Sequence, residues 1–562
     1  MAVNIFKDEL QHARLFGKPV LTTNWLIPRE TVPDGWFCYD MRGTERDPAA
    51  HAELVDYTSY DHSGTVLSPK PLKRPATKAR RIGKGDYFLH GEAMDLEAFC
   101  EEYMGFRYVG IRGVEQENLT IRAVALYSDM EQVGSFRCSN EDLNKLQQNL
   151  VWSGKGNFVD IPTDCPQRDE RQGWTGDIAL FASTACFNFG MGRFLDKWLL
   201  DMKSEQGKTG SIPFVIPSRK GVTPSITTSC WGDSCILVPY ALYRATGDTA
   251  ILRRQYPVMK KYLADVGRWA ALTLPKYRTP YVFQLMFQFG DWCAPYGGVP
   301  DWLKKGPWVG TAYYANSCRL MGEIAEVLGR EKDSARYAAL ADKVAAAFRK
   351  VFLDEAGRLK EEFQTGYVLP LYFNLADGEA RRTMAERLWA LIEENGCCLS
   401  TGFTATPYIL FALADNGFAD EAYQLLLQDG DPSWLYQVRH GATTMWEQWG
   451  AVQEDGTIKE ASLNHYAYGA VGDFFYRRIC GLEPLEAGYR KFIVKPVPGG
   501  DLTFAECTHR CPFGLIRVRW ERGNGAFHLR VTVPVNTACE VVLPNGERKT
   551  VGSGDYGFEQ LA

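Results

Sequence analysis

Residues 139–158 read Ser-Asn-Glu-Asp-Leu-Asn-Lys-Leu-Gln-Gln-Asn-Leu-Val-Trp-Ser-Gly-Lys-Gly-Asn-Phe, and here the chain changes its period. Ser139 and Asn140 can cap a helix N-terminus, and Glu141 and Asp142 place acids in its first turn, where backbone N–H groups are unpaired. Leu143, Leu146 and Leu150 then recur at helical spacing. Upstream, after a brief helix, the apolar runs are short and broken by Gly, Pro and Asp: VLTTNWLI from Val20, GWFCYDMRG from Gly35, FRYVGIRG from Phe106 and LTIRAVALYSDM from Leu119. They predict strands of a β-sandwich.

Downstream the pattern is helical. The segments 311–329, 333–352, 379–396 and 464–481 each carry an apolar stripe, and Gly329, Gly396 and Gly481 close three of them as C-terminal caps. The helices recur in pairs, with Trp-, Asp- and Pro-rich loops between pairs. Such loops at one rim of a helical toroid are where function is expected. After Pro484 strand runs return, beginning near Tyr489, Leu502, Gly514, Ala526 and Ala538. The reading is therefore β, then α, then β: an N-terminal β-sandwich over 1–137, a helical catalytic domain over 138–484 and a C-terminal β-sandwich over 485–562.

A chain of 562 residues with 45% hydrophobic and 23% charged residues has ordinary globular composition, which excludes disordered, collagen-like and coiled-coil chains. Net charge is −5 and the basic residues are scattered, so nucleic acid is not an expected partner. No run of about 18 apolar residues occurs, and the N-terminus lacks a signal-like apolar core, so no membrane partner and a cytoplasmic location are expected. The 15 cysteines form no CxxC pair, and Cys186, Cys235, Cys318 and Cys480 sit in apolar helical patterns, which fits reduced thiols. Cys507 and Cys511 have no second pair to complete a zinc site, so no metal and no cofactor are expected.

Chemistry concentrates in two stretches. From 164 the chain reads Asp-Cys-Pro-Gln-Arg-Asp-Glu-Arg-Gln-Gly-Trp-Thr-Gly-Asp. Glu170, Trp174, Asp177 and Phe181 have the spacing of one helical face, and the alternative is a salt-bridged cap built from the acids with Arg168 and Arg171. From 441 it reads Gly-Ala-Thr-Thr-Met-Trp-Glu-Gln-Trp, placing Glu447 between the indoles of Trp446 and Trp449, where desolvation would raise a carboxyl pKa. The bland reading there is a solvated acid on an amphipathic helix. Trp231-Gly-Asp233 and Gly290-Asp291-Trp292 are two further Asp/Trp pairs, each also readable as a turn with a packed indole. His465 opens the last helical segment. Trp is abundant, at 15 residues, and its flat face suits sugar rings. Paired carboxyls among indoles are what glycoside hydrolysis needs, one to protonate the leaving oxygen and one to activate water. HExxH, GxxxxGK[ST] and GxSxG are absent.

The run DCPQRDERQGWTGD closely resembles the signature of the α-L-rhamnosidases of glycoside hydrolase family 78. The resemblance continues through WGD at 231–233, GDW at 290–292, TGF at 401–403, GATTMWEQW at 441–449 and LNHYAYGAVGDFFYR from 463. It implies an (α/α)6 barrel flanked by β-sandwich domains and an inverting mechanism, with Glu170 as general acid and Glu447 as general base. It also implies that Asp164, Arg168, Trp174, Asp177, Trp231, Trp292, Trp446 and His465 bind substrate. Gln172 departs from the family's usual aliphatic residue. The expected substrates are small rhamnosylated glycosides or rhamno-oligosaccharides, attacked from their ends, and a homodimer is left open. The rival readings are an (α/α)6 glycosidase for a related sugar, a polysaccharide lyase, and a non-catalytic sugar-binding protein.

Overall fold

The computed structural model describes residues 125–168, 170–218, 226–284, 287–459 and 461–561, together with six strands within residues 1–124. Two compact units emerge. One comprises Met1–Ser128, Trp152–Gln172 and Gly450–His465; the other comprises Asp129–Val151, Gly173–Trp449 and Tyr466–Ala562.

In the first unit the six strands form one antiparallel sheet, in the order Glu53–Leu54, Trp36–Asp40, Tyr108–Arg112, Val20–Asn24, Asp86–Leu89, Ala79–Gly83. Three of the four expected strand segments contribute to it. The fourth, from Leu119, has no strand in its described part, residues 125–130. The brief N-terminal helix and the rest of the expected sandwich lie outside the described residues. The same unit holds a small hairpin, Phe158–Val159 with Ile161–Pro162, which turns at Asp160 and leads into the acidic loop.

The second unit opens with a correction to the sequence reading. Residues Gly134–Cys138, placed N-terminal to the helical domain, form the edge strand of the C-terminal sheet and pair with Phe504–Cys511 over Gly134–His509 to Cys138–Ala505. A lone five-residue strand carries no signal for a partner more than 360 residues away, so pairing is invisible locally. The helix Glu141–Asn157 follows as read, with Asn140 Oδ1 accepting the Leu143 N–H at 3.1 Å.

Successive helices then pair through short turns: Ser234–Thr246 with Thr249–Leu272, Gly306–Val327 with Glu331–Phe352, Gln364–Tyr372 with Gly378–Glu394, and Ile409–Ala414 with Ala419–Leu427, whereas Thr175–Asn188 packs on Ser234–Thr246, and Gly192–Glu205 on Ser234–Thr246 and Thr249–Leu272. Their burial is asymmetric. Thr175–Asn188, Gly306–Val327 and Gln364–Tyr372 are buried almost all round, whereas Gly192–Glu205, Glu331–Phe352 and Gly378–Glu394 bury one stripe each. A helix apolar on every side must be enclosed, and a one-sided helix must cover it.

The segment expected as one last helix is instead three short pieces, Ala467–Val471, Gly472–Phe474 and the wide-turn Phe475–Ile479. Beyond it lie two sheets. One has the antiparallel order Gly554–Leu561, Ala526–Val533, Gly514–Gly523, Phe504–Cys511, Gly134–Cys138. The other joins Leu482–Pro484, Lys491–Val494, Ala538–Val542 and Arg548–Val551, with a parallel pairing in its middle. Alternate residues of Ala526–Val533 are buried, as expected of a sheet with one covered face. Trp520 fastens this region to the helices: it is fully buried and its Nε1–H donates to the Ile479 carbonyl at 2.7 Å.

Candidate active site

The acidic loop 163–172 is closed by its own backbone. Asp164 N–H donates to the Gln172 carbonyl at 3.0 Å, and Gln172 N–H donates to Asp164 Oδ1 at 2.8 Å. The odd residue at 172 thus uses only its main chain here. Asp164 is 2% exposed, and its Oδ2 lies 3.8 Å from the Arg168 guanidinium. Arg168 reaches Glu170 at 2.6 Å. Burial, reinforced by the Glu170 charge and opposed by that of His465, pushes the Asp164 carboxyl up to about 7. Asp164 therefore keeps a proton into the neutral range while the half-exposed Glu170 is ion-paired.

His465 is 3% exposed and stands at the end of a second loop of the same unit. Gln167 ties the two loops together, its Nε2–H donating to Ser462 Oγ at 2.9 Å. Among the described residues Asp164, Cys165 and Glu170 also offer ligand atoms within 4.8 Å of one another. The donor chemistry suits a cation poorly: Glu170 is held by Arg168, and burial pushes the Cys165 thiol well up, so it stays protonated.

The remaining expected residues belong to the second unit. Glu170 and Trp174 do not share a helical face with Asp177 and Phe181, as the spacing predicted, because the helix begins only at Thr175. The chain before it is extended: Ile216 N–H donates to the Gly173 carbonyl at 2.8 Å, Thr175 N–H donates to the Phe214 carbonyl at 2.9 Å, and Trp174 bridges Val215. Long-range backbone pairing overrides the helical spacing. Asp177, 3% exposed, sits in the first turn of the helix.

Trp231 stacks on Phe289 with ring centroids 3.9 Å apart, and Trp174, Trp292 and Phe214 meet the same Phe289 ring edge-on at 6.1, 5.3 and 4.9 Å. Phe289 is thus the hub that joins three of the expected tryptophans, and sequence reasoning missed it. The available signal was its place directly before Gly290-Asp291-Trp292. Trp231 is only 2% exposed, while Trp174 and Trp292 are half-buried. Trp231 is therefore a support for the cluster, and the other two keep surface to offer.

The acids of the two Asp/Trp pairs hold turns. Asp233 Oδ2 accepts from the Cys230 N–H at 2.7 Å and Oδ1 from Ser317 Oγ. Asp291, fully buried, accepts from the Gly402 N–H at 2.9 Å and from Thr365 Oγ1 at 2.8 Å. That contact also brings the TGF stretch to GDW, and Phe403 N–H completes it by donating to the Trp292 carbonyl at 2.8 Å.

Glu447 lies in irregular chain, not on a helix, and is half-exposed. Its neighbours are rigid. Trp446 is 3% exposed and its backbone N–H donates to Gln437 Oε1 at 3.1 Å. Trp449 donates its Nε1–H to the Thr401 carbonyl at 3.1 Å and lies on Tyr468 at 4.1 Å. Burial, then Cys293, Asp291 and Glu447, push the Tyr468 hydroxyl well up. The indoles on either side of Glu447 thus brace the loop, leaving the carboxylate partly open to solvent.

The structure is similar to known proteins throughout this region. Residues 131–479 match the bacterial alpha-L-rhamnosidase 6 hairpin glycosidase domain and residues 481–558 the bacterial alpha-L-rhamnosidase C-terminal domain, while residues 6–101 match the large polyvalent protein associated domain 28. An alpha-L-rhamnosidase of Formosa agariphila is 37% identical over 84% of this chain and 51% of its own, and one of Streptomyces avermitilis is 36% identical over 85% and 45%. The chain spans about half the length of the curated relatives it matches. Among solved structures, the native α-L-rhamnosidase of Aspergillus terreus superimposes with TM-score 0.79 at 34% identity over 96% of this chain and 61% of that one. The S. avermitilis α-L-rhamnosidase complexed with L-rhamnose does so with TM-score 0.79 at 32% identity over 97% and 51%.

Proposed function

Because the chain belongs to the bacterial α-L-rhamnosidases of glycoside hydrolase family 78, we propose that it is an exo-acting, inverting α-L-rhamnosidase built on an (α/α)6 barrel. The observation that carries this reading is the Asp164–Arg168–Glu170 cluster, in which one carboxyl retains a proton near neutral pH beside a second that is charge-paired. An oxocarbenium-like transition state needs a proton delivered to the departing oxygen and a water activated on the opposite face. Once substrate takes over the Arg168 donors, Glu170 receives a proton from the neighbouring Asp164 carboxyl or from solvent and passes it to the departing oxygen. Glu447, partly open between braced indoles, takes the proton of the attacking water.

Asp164, Arg168, Asp177 and His465 supply hydroxyl partners. Trp174 and Trp292 give an apolar wall to the 6-deoxy carbon of rhamnose, with Trp231 behind it through Phe289 and Trp446 bracing the Glu447 loop. Free thiols at all the described cysteines support a reducing, cytoplasmic setting and hence small rhamnosides or rhamno-oligosaccharides as substrates. The test is hydrolysis of p-nitrophenyl α-L-rhamnoside with the first sugar product read by proton NMR. Release of β-L-rhamnose is expected. An inert protein, or an unsaturated product absorbing in the ultraviolet, would overturn the assignment.

A further inference from the structure

The helix Glu141–Asn157 ends in Ser-Gly-Lys-Gly-Asn, an expensive way to finish a helix, since each interior Gly costs about 1 kcal/mol relative to Ala. The geometry explains the second of these glycines. A Cβ on Gly156 would lie 2.7 Å from Asn464 Nδ2, so the glycine makes room for the Asn464 amide against the helix.

Asn157, fully buried, uses that proximity. Its Nδ2–H donates to Asn464 Oδ1 at 3.0 Å and to the Ser153 carbonyl at 3.0 Å, and its own carbonyl accepts from the Thr163 N–H and Thr163 Oγ1, both at 3.0 Å. Thr163 is the residue before Asp164, and Asn464 is the residue before His465. One asparagine therefore grips the chain immediately ahead of each of two buried polar groups that meet in the candidate site. Ser462 reinforces the far side, bonding both to Gln167 and to the Asn464 main chain.

We propose that Gly156 and Asn157 are positioning residues: they form a clamp that sets the distance between Asp164 and His465, and so the shape of the subsite that receives the sugar. The functional half of this inference rests on the rhamnosidase reading; the structural half does not. Neither residue touches substrate. Their effect passes through Thr163 and Asn464 alone, which separates them from the residues that the family signature marks.

Gly156→Ala tests the clamp because helix propensity and positioning have opposite signs. The helix gain from alanine offsets the cost of displacing the Asn464 amide, so the melting temperature should change little, whereas the displaced Asn464 should lower kcat/KM on p-nitrophenyl α-L-rhamnoside at least tenfold. With 13C-labelled histidine, the His465 ring resonance, identified by its loss in His465→Gln, should move in Gly156→Ala and in Asn157→Ala. The two substitutions Asn157→Ala and Asn464→Ala should be non-additive, the double variant losing no more than the worse single. Wild-type activity with an unmoved His465 resonance would overturn the clamp. If Gly156→Ala does not fold, the same readouts on Asn464→Ala decide. An inert wild-type protein would defeat the rhamnosidase reading and leave the His465 resonance to judge the clamp by itself.

Discussion

Arg168 holds Glu170 at 2.6 Å while standing 3.8 Å from Asp164, so one guanidinium separates a partly exposed carboxylate from a buried, proton-retaining one. The arrangement divides labour between two carboxyls by environment: burial sets the proton on Asp164, and the Arg168 guanidinium pairs with Glu170. On the proposed mechanism, sugar hydroxyls take over the Arg168 donors and free Glu170 to receive a proton and pass it to the glycosidic oxygen.

Glu170→Gln is expected to lower kcat on rhamnosides with poor leaving groups by about 10²- to 10⁴-fold, the ordinary worth of a general acid. Activated aryl rhamnosides, whose leaving group departs without protonation, should lose far less. Comparing kcat/KM on a rhamnose disaccharide and on p-nitrophenyl α-L-rhamnoside checks this. Equal losses would remove Glu170 from the acid role.

Glu447→Gln should depress every substrate alike, because water must be activated whatever leaves. Time-resolved proton NMR within the first minutes, before mutarotation, should show the β-anomer from the wild type. Initial α-anomer would mean retention and a covalent intermediate, and would defeat the single-displacement assignment.

Asp164→Asn should remove a pH dependence of stability. The native carboxyl keeps its proton to about 7, and the unfolded one loses it near the ordinary value of about 4. Between these limits the native state binds more protons, so its stability from this group is full below about pH 4 and is lost as pH rises toward 7. The substituted amide does not titrate. The melting temperature of the variant relative to wild type should therefore climb from pH 4.5 to pH 8, by a stability difference on the order of a few kcal/mol. A pH-independent difference would show that burial does not hold Asp164 protonated.

How much of this was legible depended on the range of the deciding contact. The Asn140 cap, the amphipathic stripe of Glu331–Phe352 and the strand runs after Pro484 are local and were readable from period and capping residues. The motif residues were readable by likeness to a family. What failed was governed by distant pairing: Glu170 and Trp174 left the predicted helical face because residues 173–175 pair with 214–216. Gly134–Cys138 likewise joined a sheet whose other strands follow residue 500. Phe289 and Asn157 escaped notice because a Phe beside a glycine or an Asn at a helix end is common, and only the assembled structure shows what each touches.

The closest approach in the aromatic cluster gives the last prediction. A Cβ on Gly176 would lie 2.5 to 2.7 Å from three atoms of the Trp231 indole, so Gly176→Ala must tilt that ring. The ring cannot tilt alone, because it stacks on Phe289, whose edge contacts place Trp174 and Trp292. Overpacking of this kind costs about 1–3 kcal/mol, and in a chain of this size each kcal/mol lowers the melting temperature by roughly 1 °C. The sugar wall should shift with it, raising KM for rhamnosides and weakening selectivity for a 6-deoxy sugar over its 6-hydroxyl counterpart. Gly192→Ala is the matched control: it too lies near a helix start, but nothing stands within 4 Å of its added carbon, so it should be neutral in both melting temperature and KM. If the two variants behaved alike, the close contact between Gly176 and Trp231 would have no part in shaping the site.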